Sequence, residues 1–212
     1  NTGANWLNDI NTIYANDVRI NGTSKVIFTS GVLDITMKFD RTIANNTAQK
    51  WTLNAEIDVY EITVGKQVDT DQGLIEMFNN ASTSTSTIGA ATNVTIETRG
   101  VTPWDLPVAL SQNRIKIWKK TKYFLSDGQV ATYQMRDPRR HVFKVSDMKA
   151  AVVTDKCENI IGMTKYLLVM WKLCPGPQYG STYQGEGTLT IGATRKYLYK
   201  LDEDTTTFDG VL

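Results

Sequence analysis

Arg114, Lys116, Trp118, Lys120 and Lys122 recur at every second position of one short segment. That is the period at which side chains of a β-strand share a face. A row of long cations suits a phosphate backbone: each ammonium neutralises phosphate charge, and the indole among them offers a π-face on which a base stacks. The alternating positions Ile115, Ile117, Tyr123 and Leu125 are apolar, so the other face of the strand is expected to enter a core. A plain solvated face of an antiparallel strand has the same pattern, and the segment alone does not separate the two.

The charge around this row is concentrated. Residues 114 to 144 hold 9 Lys/Arg against 2 Asp/Glu, a local excess of seven, while the whole chain of 212 residues carries a net charge of +1. Residues 1 to 113 carry 7 basic and 12 acidic side chains, and residues 145 to 212 carry 7 and 8. The near-neutral total therefore hides a polarised chain, in which local attraction to polyanions is strong and bulk attraction weak.

Other chemistry finds little support. His141 is the single histidine, which excludes a multi-histidine metal site, and no nucleophile elbow, phosphate loop or dinucleotide fingerprint occurs. Asp69, Asp71 and Gly73 imitate the start of a calcium loop, but Leu74, Ile75 and Met77 stand near where ligands should follow. Glu56, Asp58 and Glu61 could be imagined as a glycosidase pair, yet acids at i and i+2 of a strand simply share its wet face. Asp202, Glu203, Asp204 and Asp209 lie in a Thr-rich tail. Neither an enzyme nor a cofactor is expected. Cys157 and Cys174 match no zinc spacing and are read as buried free thiols, and the sequons at Asn21, Asn45, Asn80 and Asn93 as chance in an Asn- and Thr-rich chain.

The elements that must position the basic row are mostly strands. Thr23 to Phe39 and Trp51 to Val64 alternate as long half-buried strands, and Asp71 to Asn80 has the cap and apolar spacing of a short helix. Ala81 to Thr87 and the proline-punctuated 101 to 112 read as long loops. Ser126-Asp127-Gly128 between 114–125 and 130–135 predicts an antiparallel hairpin. His141 to Val145 is a short strand, Ser146 to Ala151 a helical turn, and the nearly all-apolar Met163 to Leu173 a central strand covered on both faces. In Thr188 to Leu201, Leu189, Ile191, Tyr197, Tyr199 and Leu201 point inward, with Lys196 and Lys200 on the other side. The expected fold is all-β: an antiparallel two-sheet sandwich, an eight-stranded jelly roll with one short helix and long loops. A lead-in segment 1–22, one domain 23–201 and a tail 202–212 complete it. No apolar run reaches the roughly 20 residues of a membrane helix, so no membrane insertion is expected. The start at Asn1 without methionine implies a removed or omitted N-terminal piece.

The order of these segments resembles the single jelly-roll coat proteins of small circular single-stranded DNA viruses, the geminivirus, genomovirus and circo-like group. The resemblance rests on the strand Trp51 to Thr63, the helix Gly-Leu-Ile-Glu-Met-Phe-Asn-Asn at 73–80, and Lys-Ile-Trp-Lys-Lys-Thr-Lys-Tyr-Phe-Leu-Ser-Asp-Gly-Gln at 116–129. It continues through Arg139-Arg140-His141-Val142-Phe143-Lys144-Val145, the apolar strand at 165–175 and Tyr197-Leu198-Tyr199. It implies a homo-oligomeric icosahedral shell, most simply of roughly 60 copies, around packaged single-stranded DNA, located in the virion and assembled in the host nucleus. It points Arg114, Lys116, Trp118, Lys120 and Lys122 at the genome, with Lys196 and Lys200 as neighbours. Family members usually begin with an arginine-rich arm, which this chain lacks. The competing expectation is a lectin-like carbohydrate-binding sandwich, with Trp104 and Tyr179 as sugar platforms.

Overall fold

The alternation read over Thr23 to Phe39 forms strand β1 (Lys25–Thr42), which is the axis of one sheet in the computed structural model. The structure describes residues 25–42, 54–66, 73–82, 96, 100–137, 140–144, 165–174 and 186–202. The helical turn expected at 146–151, the Ser/Thr stretch from 83 onward, Cys157, Tyr179 and both terminal segments lie outside them. The described strands continue with β2 (Ala55–Thr63), β3 (Lys116–Leu125), β4 (Val130–Asp137), β5 (His141–Lys144), β6 (Lys165–Leu173) and β7 (Glu186–Asp202). The helices are α1 (Gly73–Ser82), a 3-10 turn at Pro103–Asp105 and α2 (Pro107–Gln112).

Two antiparallel sheets result. In sheet A, β7 pairs with β1 along its whole length, while β4 and β5 pair with successive parts of β1. In sheet B the order is β3-β2-β6. Ile35, Met37, Phe39, Tyr133 and Met135 of sheet A meet Ala55, Ile57, Val59 and Leu125 of sheet B in one buried cluster, so the two sheets pack face to face as in a sandwich. A second cluster covers the other face of sheet B: Tyr60, Ile62, Val64, Ile115 and Leu168 pack beneath Leu74 and Phe78 of α1, Leu106, and Ala109 of α2. Seven strands are described, and few helices.

Three expectations are corrected. The Asp127-Gly128 turn is a corner between sheets rather than a hairpin, because β3 pairs with β2 and β4 with β1. The corner is pinned onto β1: Gly128 N donates to Phe39 O at 2.8 Å, Phe39 N to Gln129 O at 3.2 Å, and Arg41 N to Asp127 Oδ1 at 2.7 Å. Gly128, at φ +74°, supplies the left-handed residue that the reversal needs. Secondly, β6 is the edge strand of sheet B and β2 its centre; Trp171 of β6 is exposed. The central strand carries charges on one face because lysines of both neighbouring strands meet them there. Thirdly, residues 101–112 form two short helical elements. Their anchors Pro103, Leu106 and Ala109 are buried, and prolines at the first positions suit helix starts. On β7, Leu189 packs on the core, but Ile191 and Tyr199 are exposed instead of pointing inward.

Candidate nucleic-acid interface

The basic row does not stay on one face. Glu61 pairs with Lys119 and Ile62 with Ile117, which leaves Trp118 as an extra residue on β3, a β-bulge. On the Leu125 side of the bulge, Tyr123 and Leu125 face sheet A, and Lys120, Lys122 and Phe124 lie opposite Tyr60, Asp58 and Glu56 on the outer face of sheet B. On the other side the parity inverts. Ile115 and Ile117 now pack under the helices, and Lys116 lies opposite Thr63 on the face turned toward sheet A. The bulge gives up about one ladder hydrogen bond, roughly 0.5–1.5 kcal/mol. Burying each isoleucine against the helices returns about 1.5–3 kcal/mol, so the bulge wins.

Trp118 and Lys116 belong to a basic end of the sandwich. The indole is 47% exposed, and its Nε1 donates to Thr63 Oγ1 at 2.9 Å. Lys116 Nζ lies 3.9 Å from the ring centroid and Lys165 Nζ 5.7 Å from it, distances at which the ring quadrupole attracts a cation. Arg195 of β7 donates from Nη2 to Lys165 O at 3.2 Å, tying sheet A to this end of sheet B. Lys119 Nζ stands 5.3 Å over the Tyr133 ring. The carboxylate among these groups is Glu61, 8% exposed, which accepts from the Tyr133 hydroxyl and lies 3.8 Å from Lys165 Nζ. Sequence reasoning placed Glu61 on the face with Ile57 and Val59 but missed Lys119, Lys165 and Arg195. No spacing signal joins residues of three different strands.

Lys120 and Lys122 occupy a different environment. Lys120 Nζ pairs with Asp58 Oδ2 at 3.1 Å; Lys122 pairs with Glu56 and lies 3.8 Å from Asp58; Lys172 Nζ of β6 lies 3.5 Å from Glu56. The Lys122 bond holds the Glu56 carboxyl below its usual range, and the same bond holds the ammonium of Lys122 up. Burial disfavours the charge on Lys120, but bonds to Tyr60 and Asp58 outweigh it and raise its pKa. These lysines are largely neutralised by β2. The remaining expected residues lie elsewhere. Arg114 is exposed in a left-handed turn at φ +51° that ends α2. Lys196 and Lys200 are exposed on the outer face of sheet A, on the opposite side of the sandwich from Lys120 and Lys122. The single cationic wall expected from strand periodicity is thus divided among several surfaces.

Among the described residues no three His, Cys, Asp or Glu side chains are grouped to hold a metal ion, and no helix is long and apolar enough to cross a membrane. Comparison with known proteins adds no relative: no family model, no curated protein and no solved structure matches the chain.

Proposed function

We propose that this chain is a viral coat protein that assembles into an icosahedral shell around a single-stranded DNA genome. The carrying observation is the basic end, where Lys116, Lys119 and Lys165 of sheet B and Arg195 of β7 gather around a half-exposed indole with one buried carboxylate between them. Cations supply the sequence-independent attraction to phosphate, and the indole supplies a stacking surface that tolerates any base. Lys196, next to Arg195 in the chain, extends the positive surface over the outer face of sheet A.

The distribution of charge supports the same reading. The seven described strands carry 14 Lys/Arg and 8 Asp/Glu, an excess of six. The whole chain carries +1, so the residues between and beyond the strands carry a deficit of five. A positive framework with acidic connections fits a subunit whose sheets meet a polyanion and whose connections meet one another at the rims. The proposal includes the finer topology, an eight-stranded jelly roll, and location in the virion with assembly in the host nucleus.

The test is to purify the chain and replace Lys116 and Lys196 together by glutamate. Wild-type protein is expected to form uniform shells in electron micrographs, with an absorbance ratio at 260 and 280 nm that reports nucleic acid. The double variant keeps the shells and loses the nucleic acid. Shells with an unchanged ratio would remove the basic end from the packaging role. A wild-type monomer in sedimentation would overturn the coat reading and leave a binding module.

A further inference from the structure

We propose that the outer face of sheet B carries a saccharide-binding site, with Trp104 as the platform and Asp58 and Lys120 as the polar contacts. Trp104 is 50% exposed, although it sits at the centre of a rigid turn. The turn is held at its start by a reciprocal cap: Asp105 Oδ2 accepts from Thr102 N at 2.7 Å and from Thr102 Oγ1 at 2.8 Å. Pro103 and Leu106 on either side of the tryptophan are buried. An indole kept half in solvent on a fixed support is organised for contact before any ligand arrives, which lowers the cost of binding.

What surrounds the indole selects the ligand. Its ring meets the buried Tyr60 edge-on at a centroid distance of 5.4 Å, and Lys120 Nζ lies 5.6 Å from its centroid. Lys120 in turn pairs with Asp58, whose Oδ1 is buried and accepts no hydrogen bond. An acceptor with an open lone pair, a donor and an aromatic face therefore lie side by side. A pyranose matches all three, since its hydroxyls both donate and accept and its ring C–H groups carry the partial positive charge that a π-face attracts. A phosphate does not match, because Asp58 and Glu56 would repel it at the centre of the face. This site does not rest on the coat reading, and it is separated from the basic end by the inversion of parity at Trp118.

Saturation-transfer NMR on the intact chain tests the site, with methyl β-galactopyranoside and methyl β-glucopyranoside as neutral probes and a heparin hexasaccharide and a thymidine oligonucleotide as anionic ones. Transfer to the ring C–H protons of at least one methyl glycoside is expected. The signal should vanish in Trp104→Ala and persist in Trp118→Ala. Asp58→Asn should weaken binding about tenfold, as expected for loss of one charge-assisted hydrogen bond. Near-UV circular dichroism of each variant reports whether the fold is kept, and Asp58→Asn carries the test if Trp104→Ala does not fold. No transfer to either glycoside, transfer unchanged in Trp104→Ala or Asp58→Asn, or binding of the anionic probes alone would overturn the proposal. Shell formation and nucleic-acid content are read separately, so failure here is distinguishable from failure of the coat reading.

Discussion

Trp118 Nε1 donates to Thr63 Oγ1 at 2.9 Å across the bulge that divides β3 into two halves of opposite parity. Thr63 is buried, so the bond fixes the extra residue at the point where a strand most easily slips register. It also aims the indole toward the lysines of the basic end.

Thr63→Val keeps the shape of the side chain and removes the acceptor. We expect a loss of about 1 kcal/mol in urea unfolding, the usual net worth of one such bond, and a red shift of tryptophan emission as the indole is released. A variant with unchanged midpoint and emission would show that the packing of Ile115 and Ile117, not this bond, fixes the bulge.

Tyr133 and Glu61 make stability sensitive to alkaline pH. Burial, reinforced by the bond to Glu61, pushes the Tyr133 hydroxyl far above its ordinary value. The folded state therefore holds this proton more tightly than the unfolded chain does. The resulting stabilisation is complete below a pH of about 10, the ordinary tyrosine value, and is lost progressively as pH rises above it toward the folded value. Tyr133→Phe should lower stability by roughly 1.5–3 kcal/mol at neutral pH, because a buried carboxylate loses a donor. It should also flatten the decline of the urea midpoint above a pH of about 10. Parallel declines in the two proteins would contradict the linkage.

The extent to which these features were legible in the chain follows from how local each cause is. Periodicity located β1, β2 and α1 because each buries a face whose pattern lies within one segment. The partner of β4 was not legible: Asp127-Gly128 encodes a reversal, but the pinning of that turn to Phe39 and Arg41 depends on residues some 86 positions away. The apolar run of β6 pointed to a central strand, whereas Glu56 and Asp58 mark the true centre, since charges there need lysines on both sides. The bulge did leave a trace. Lys119 interrupts the apolar series Ile115, Ile117, Tyr123, Leu125, and a cation in the inward series is where the alternation changes phase. The neutralisation of Lys120 and Lys122 and the gathering of Lys116, Lys165 and Arg195 required the sheet order, which no segment contains.

Gly187 and Phe39 set how closely β7 approaches the core. A Cβ at Gly187 would stand 2.5 Å from Phe39 Cε2 and 2.8 Å from Cζ, with Leu173 Cδ2 at 3.4 Å. Phe39 cannot yield easily, being fully buried and packed against the Trp171 ring at a centroid distance of 6.2 Å. Gly187→Ala should therefore cost about 1–3 kcal/mol by overpacking, and as a change at the edge of sheet A it should speed hydrogen exchange along β7 before β1. Phe39→Leu vacates the ring position, so in that background the added methyl group has room and its penalty should shrink, a coupling of the kind expected for residues in contact. The measurement is a double-mutant cycle in urea. Penalties that simply add would mean that the backbone of β7 moves aside instead, and that this glycine does not set the spacing of the strand from the core.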